Sequence, residues 1–138
     1  MDCIFCKICK GDISSYTLYE DDKIKVFLDI NPISNGHTLI IPKNHSVDLD
    51  DTSLETINYI FSKAKDIKKL LETKLNPIGI RLVQNNGTLE EVKHFHLHLI
   101  PFYNENNKID VQDVYKILSD WYEPRFLDIR NEVFICQN

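Results

Sequence analysis

Lys93-His94-Phe95-His96-Leu97-His98-Leu99-Ile100-Pro101 carries three of the chain's five histidines at alternate positions, with an apolar residue in every gap. Successive side chains of a β-strand point to opposite faces, so this spacing sends His94, His96 and His98 to one surface and Phe95, Leu97 and Leu99 to the other. Five histidines scattered at random over 138 positions reach this spacing with a probability of about 0.006. A half-buried strand with a polar outer face explains the alternation too. Serine, threonine or lysine would serve solvent equally well, however, and imidazole is the side chain that titrates near neutral pH. The stretch therefore predicts a strand over 93–100 with one core face and one chemical face.

At 43% hydrophobic and 10% aromatic residues, the chain has apolar surface for one core, and a single domain over residues 1–138 is expected. Sixteen basic residues against twenty-one acidic ones give a formal net charge of −5. That balance excludes a broad basic surface for a nucleic acid polymer but not a small phosphate ligand. No cationic segment followed by a long apolar run opens the chain, and no apolar run reaches about eighteen residues, so no membrane span is expected. The expectation is a soluble cytoplasmic protein. Four cysteines, Cys3, Cys6, Cys9 and Cys136, are few for a disulfide scaffold. Three of them follow one another at three-residue spacing, which in a reducing compartment points to metal ahead of disulfide. A tetrahedral zinc needs four ligands: Cys3 and Cys6 supply two, and His45 and His94 are distant candidates for the others. Small buried thiols are the plain alternative.

Residues 16–20 and 23–29 read as two strands joined by the acidic turn Asp21-Asp22. Asn31-Pro32 and Asn35-Gly36 punctuate a loop, after which 37–41 reads as a third, central strand stopped by Pro42. The period then changes. Leu54, Ile57, Phe61, Ala64, Ile67, Leu71 and Leu75 recur at three- and four-residue steps, the apolar stripe of a long helix. Thr52-x-x-Glu55 resembles its capping box and Asn76-Pro77 its end, with Tyr59 and Ile60 on a second, exposed face. Residues 78–84 read as a fourth strand, Asn85-Asn86-Gly87 as a turn, 93–100 as the fifth strand and 110–119 as a short helix. The tail from Trp121 onward has no clear period. Short turns between strands favour antiparallel pairing. The class is α+β, a five-stranded antiparallel meander with one long helix and a short C-terminal helix.

The run His94-Phe95-His96-Leu97-His98-Leu99-Ile100 resembles the His-x-His-x-His-φ-φ signature, φ apolar, of the histidine-triad (HIT) nucleotide hydrolases and transferases. Cys3-Ile4-Phe5-Cys6-Lys7-Ile8, Tyr19-Glu20-Asp21-Asp22, Phe27-Leu28-Asp29-Ile30-Asn31-Pro32 and Gly36-His37-Thr38-Leu39-Ile40-Ile41-Pro42-Lys43-Asn44-His45 look like the Hint branch of that family. Several ordered motifs over roughly residues 3–101 are more specific than the triad alone.

The resemblance implies a HIT-like fold and hydrolysis at the α-phosphate of purine nucleoside phosphoramidates or related nucleotides. His96 would attack phosphorus, so that a nucleotidyl-histidine intermediate splits one hard step into two easier ones. Neighbouring imidazoles help keep it neutral, because adjacent imidazoliums repel. His98 would donate a hydrogen bond to the phosphate or leaving group. His37 would support the triad, although a buried, hydrogen-bonded histidine reads the same way. Asp29 resembles the family's ribose-binding acid. Ile4, Phe5, Ile8, Phe27 and Ile30 would form the slot for the base, although on their own they read as ordinary core. Asn85 resembles an asparagine that reaches the phosphate. In the zinc-containing, bacterial-like form of the branch, Cys3, Cys6, His45 and His94 carry over as ligands of a structural zinc, with Cys9 as an extra thiol. A homodimer is implied as well.

One departure matters. Where the family has Ala-Gly-Gln, this chain has Thr88-Leu89-Glu90, on a shorter loop. A carboxylate at the phosphate repels it unless it is protonated or turned away. Glu90 therefore faces solvent, acts on the leaving group, or weakens activity toward ordinary nucleotides. Three other readings stand beside the phosphoramidase: a dinucleoside polyphosphate hydrolase or nucleotidyltransferase of the same family, a catalytically weak nucleotide-binding adaptor, and a metal-binding module in which the three triad histidines share one ion.

Overall fold

The structure, a computed structural model, describes residues 3–89, 92–105 and 107–119. Glu90, Trp121, Tyr122 and Cys136 lie outside the described residues.

Helix α1 (Ile4–Lys10) opens the described chain. Its N-cap is Cys3, whose sulfur accepts Cys6 N–H at 3.3 Å, and Gly11 ends it in the left-handed region at φ 84°. Strands β1 (Thr17–Glu20), β2 (Ile24–Leu28) and β3 (Thr38–Pro42) follow as an antiparallel run. Asp21 makes the first turn: its carboxylate accepts the backbone N–H groups of Lys23 and Ile24. Helix α2 (Leu54–Leu75) leads to β4 (Gly79–Val83), β5 (Leu97–Phe102) and α3 (Val111–Ser119).

All strand pairs are antiparallel, in the order β1-β2-β3-β5-β4. The α+β class is as expected, but the consecutive order of a meander is not kept. The crossover through α2 delivers β4 to the sheet edge, and the hairpin back from it inserts β5 beside β3. The histidine strand is also shorter than 93–100. The β3–β5 ladder ends at Ile40 opposite Leu97. Two residues beyond Ile40, Pro42 has no N–H to donate, and His94 Nε2–H takes its carbonyl at 2.7 Å. His94 and His96 thus precede β5 in irregular chain, and His98 alone lies within it.

Both faces of the central strands are covered, so β2 and β3 are buried throughout. Alternation still sorts the residues. Ile24, Val26, Leu28, Ile40, Leu97 and Leu99 pack with Phe95 against α2 and α3. Phe27, Leu39 and Ile41 pack with Phe5 and Ile8 of α1 on the opposite face.

Helix α2 is rotated from the expected stripe. Ile60 is fully buried with Ala64, Ile67, Leu70 and Leu71, whereas Leu54 and Phe61 are exposed. Tyr59 is partly buried and donates its hydroxyl to Asp21 rather than facing solvent. The N-cap is Ser53, which accepts Thr56 N–H at 3.1 Å. Thr52 instead bonds Ser46 and the Asp48 carbonyl. Packing against the sheet takes Ile60 into the core, and the helix phase follows it. Asn76 is the left-handed C-cap, as Asn76-Pro77 suggested. Among the described residues no helix is long and apolar enough to cross a membrane.

Gly36 precedes the histidine at the head of β3, at φ +90°, and a Cβ there would meet Leu75 Cδ1 at 2.6 Å and Pro101 Cγ at 3.3 Å. Gly36→Ala is expected to cost about 1–3 kcal/mol through backbone strain and this clash. Urea unfolding measures it, and unchanged stability would mean that the turn accommodates a side chain.

Candidate active site and metal centre

The second face of the sheet, between α1 and the 29–37 loop, opens into a cleft of about 510 Å³. Ile4, Phe5, Ile8, Phe27 and Ile30 line its apolar side, and Asp29, Asn85, His96 and His98 bring polar atoms to it. His37 sits behind His98, with its Nε2 at 2.9 Å from His98 Nδ1 and 3.7 Å from Asp29 Oδ2. The other Asp29 oxygen accepts Asn31 N–H at 2.8 Å. Phe5 stands edge-on to His96, ring centroids 4.9 Å apart, and to His94 at 5.9 Å, so α1 packs directly on the histidine segment.

The backbone decides where each imidazole proton sits. His96 Nδ1 lies 2.7 Å from the His94 carbonyl, which only accepts, so Nδ1 carries the proton and the lone pair is on Nε2. His94 donates Nε2–H to the Pro42 carbonyl, leaving its Nδ1 lone pair for the side of α1. Ile33 N–H donates to His37 Nδ1 at 3.1 Å, so His37 carries its proton on Nε2 and donates to His98 Nδ1. His98 is left with its proton on Nε2.

Cys3, Cys6, His45 and His94 converge from three separate segments, with all four ligand atoms within 4.8 Å of one another. Cys3 Sγ and Cys6 Sγ lie 3.3 and 3.5 Å from His94 Nδ1, Cys6 Sγ lies 3.3 Å from His45 Nδ1, and the two Nδ1 atoms are 3.2 Å apart. A tetrahedral zinc with Zn–S of about 2.3 Å and Zn–N of about 2.0–2.1 Å sets S···N edges at roughly 3.5 Å and N···N edges at roughly 3.3 Å. The cluster fits that ion. The His94–Pro42 hydrogen bond also orients the ring as an outer partner of a metal ligand does. Cys9 stays outside the cluster: burial pushes its thiol up to about 11, and it donates to the Pro42 carbonyl at 3.9 Å.

A family model of the HIT domain matches residues 10–105. The chain belongs to the HIT family. An uncharacterised HIT-like protein of Mycoplasma genitalium is 37% identical over 130 residues, 86% of this chain and 92% of that one. The adenosine 5'-monophosphoramidase of Candida albicans is 40% identical over 115 residues, 79% of this chain and 76% of that one. The crystal structure of a zinc-bound histidine triad family protein from Mycobacterium smegmatis superposes with a TM-score of 0.79 at 34% identity, covering 86% of this chain and 91% of that one.

Sequence reading missed several residues of this HIT cleft. Ile13, Ser14 and Ser15 form one rim, reached because Gly11 turns the chain back over the sheet, and Val92 forms another beside Leu89, which the sequence already sets at the phosphate loop. An apolar residue just past a helix-capping glycine was the one signal for Ile13. Ile33 contributes only its amide, which no side-chain pattern reports.

Burial lowers the basicity of His98 to about 4, helped by His96 and His37 and opposed by Asp29. Burial likewise pulls His37 below its ordinary value, with Asp29 opposing. Because the folded value lies below the ordinary 6.5, the unfolded chain takes up protons first. The contribution of His98 to stability is complete above about pH 6.5 and is lost as pH falls toward 4. Imidazole NMR titration is expected to place the His98 midpoint near pH 4, and a midpoint at the ordinary value would contradict its burial as neutral imidazole.

Proposed function

We propose that this protein is a nucleotide hydrolase acting at the α-phosphate of purine nucleoside phosphoramidates or related nucleotides, through a nucleotidyl-His96 intermediate. The observation that carries the reading is the set of contacts in the cleft: His96 Nδ1 lies on the His94 carbonyl and His98 Nδ1 on His37 Nε2, with the His96 and His98 rings 4.8 Å apart, which leaves a lone pair on His96 Nε2 and an N–H on His98 Nε2. One ring offers electrons to phosphorus and the other a hydrogen bond to charge developing on the phosphate or leaving group. The family membership and the phosphoramidase named among its relatives support the substrate class.

In the proposed reaction the base enters the slot of Ile4, Phe5, Ile8, Phe27 and Ile30, and the ribose hydroxyls bond Asp29 Oδ2. Asn85 reaches the phosphate. His96 Nε2 forms a bond to phosphorus as the P–N bond breaks, and the leaving amine departs with that electron pair and takes a proton from water. Water then attacks phosphorus, the electron pair of the N–P bond returns to His96 Nε2, and the water proton passes to solvent. Holding His37 and His98 neutral keeps positive charge from accumulating beside the attacking ring.

Cys3, Cys6, His45 and His94 would hold a zinc whose four positions are all filled by protein. The ion would pin α1 to the histidine segment and take no part in the chemistry. We also infer a cytoplasmic homodimer, supported by the exposed Leu54 and Phe61 on α2 and Leu82 on the edge strand β4.

Purified protein is expected to hydrolyse adenosine 5'-phosphoramidate and to yield a nucleotidyl adduct by intact mass, with both lost in His96→Ala. AMP binding without turnover in the wild type would favour a binding adaptor instead. Elemental analysis is expected to find one zinc per chain, lost in Cys6→Ala and kept in His96→Ala; the reverse pattern would favour an ion shared by the triad histidines.

A further inference from the structure

The loop before β3 is tied down by more than its own turn, and five hydrogen bonds join residues 32–35 to residues 101–109. Ser34 Oγ donates to the Pro101 carbonyl, Tyr103 OH donates to the Asn35 carbonyl at 2.6 Å, and Lys108 Nζ donates to the Pro32 carbonyl at 3.1 Å. The Asn35 side chain makes the two-pronged tie: Nδ2 donates to the Asn107 carbonyl at 2.9 Å, and Oδ1 accepts Ile109 N–H at 3.0 Å. A short amide carries a donor and an acceptor side by side, which lets it replace one rung of a β-ladder. Aspartate has the same shape without the donor.

The held loop sets a proton at a distance. His37 N–H closes the turn on the Ser34 carbonyl at 3.1 Å, and just before that turn Ile33 N–H occupies His37 Nδ1 at 3.1 Å. If Ile33 swings away, His37 can carry its proton on Nδ1, against the pull of Asp29 Oδ2 at 3.7 Å from Nε2. Its bare Nε2 then accepts from His98 Nδ1, and His98 presents a lone pair to the cleft where it had presented an N–H. A lone pair facing a phosphate oxygen repels it.

We propose that Asn35, outside the cleft, is a positioning residue that fixes His98 as a hydrogen-bond donor by clamping the 32–36 loop to residues 101–109 and so holding Ile33 N–H on His37. Its consequence for catalysis rests on the hydrolase reading, whereas its consequence for the His98 tautomer does not.

The test combines imidazole 1H–15N correlation spectra of the full chain with steady-state kinetics on adenosine 5'-phosphoramidate, for wild type, Asn35→Asp and Asn35→Ala. Wild type is expected to carry the proton on Nε2 of both His37 and His98. The variants are expected to move His98 toward the Nδ1–H form and to lose about tenfold in kcat, with KM within about twofold. A wild-type His98 protonated on Nδ1, or variants that keep the wild-type tautomer whatever their kinetics, would overturn the proposal. If wild type turns nothing over yet Asn35→Asp moves the tautomer, the positioning role stands and the hydrolase reading falls. If the Asn35 variants do not fold, Lys108→Met removes the tie to Pro32 alone. A smaller shift of His98 in the same direction supports the proposal, and none overturns it.

Discussion

Burial of imidazole is the constraint on which this site depends. His94, His37 and His96 are 0%, 3% and 4% exposed, and a buried ring whose proton faces the wrong partner forfeits about 1–3 kcal/mol. Three of the partners that decide the matter are backbone atoms: the carbonyls of Pro42 and His94, and the amide of Ile33. A carbonyl cannot donate and an amide N–H cannot accept, so the path of the chain leaves each ring one neutral form. The chemistry on offer follows: His94 turns a lone pair to the thiols, His96 keeps one on Nε2, and His98 holds a proton on Nε2.

Helix α1 joins the Cys3, Cys6, His45 and His94 cluster to the cleft. It is only seven residues long, too short to be stable by itself, so tertiary contacts must hold it. Phe5 packs on the rings of Phe27, His94 and His96. Lys25, from β2, donates to the Ile8 carbonyl near the helix end at 3.0 Å. Cys3 and Cys6 tie its first turn to His45 and His94. The same helix supplies Ile4, Phe5 and Ile8 to the cleft wall, so a zinc at its N-terminus would stiffen the slot without touching a substrate.

The chain's periodicities placed most of the fold. Alternation at 93–101 separated core from chemistry, and the change of period after residue 52 marked the long helix. What periodicity could not set was phase and order. The α2 stripe through Leu54 and Phe61 looked as good as one through Ile60, and packing against the sheet decided for Ile60. Both arrangements of β4 and β5 satisfy the same alternation, and the crossover geometry chose between them.

The same division runs through the site. Residue types and spacing singled out side chains that the structure brings together, three histidines at period two and two thiols one helical turn apart. The family resemblance added Asp29, Asn85 and the apolar slot, and each of them lines the cleft. Tertiary structure alone decided which nitrogen of each ring bears the proton, that His37 stands behind His98, and that Asn35 is bound to residues 107–109. Those facts depend on backbone groups brought together from distant parts of the chain, and a backbone amide or carbonyl is the same in every residue that has one.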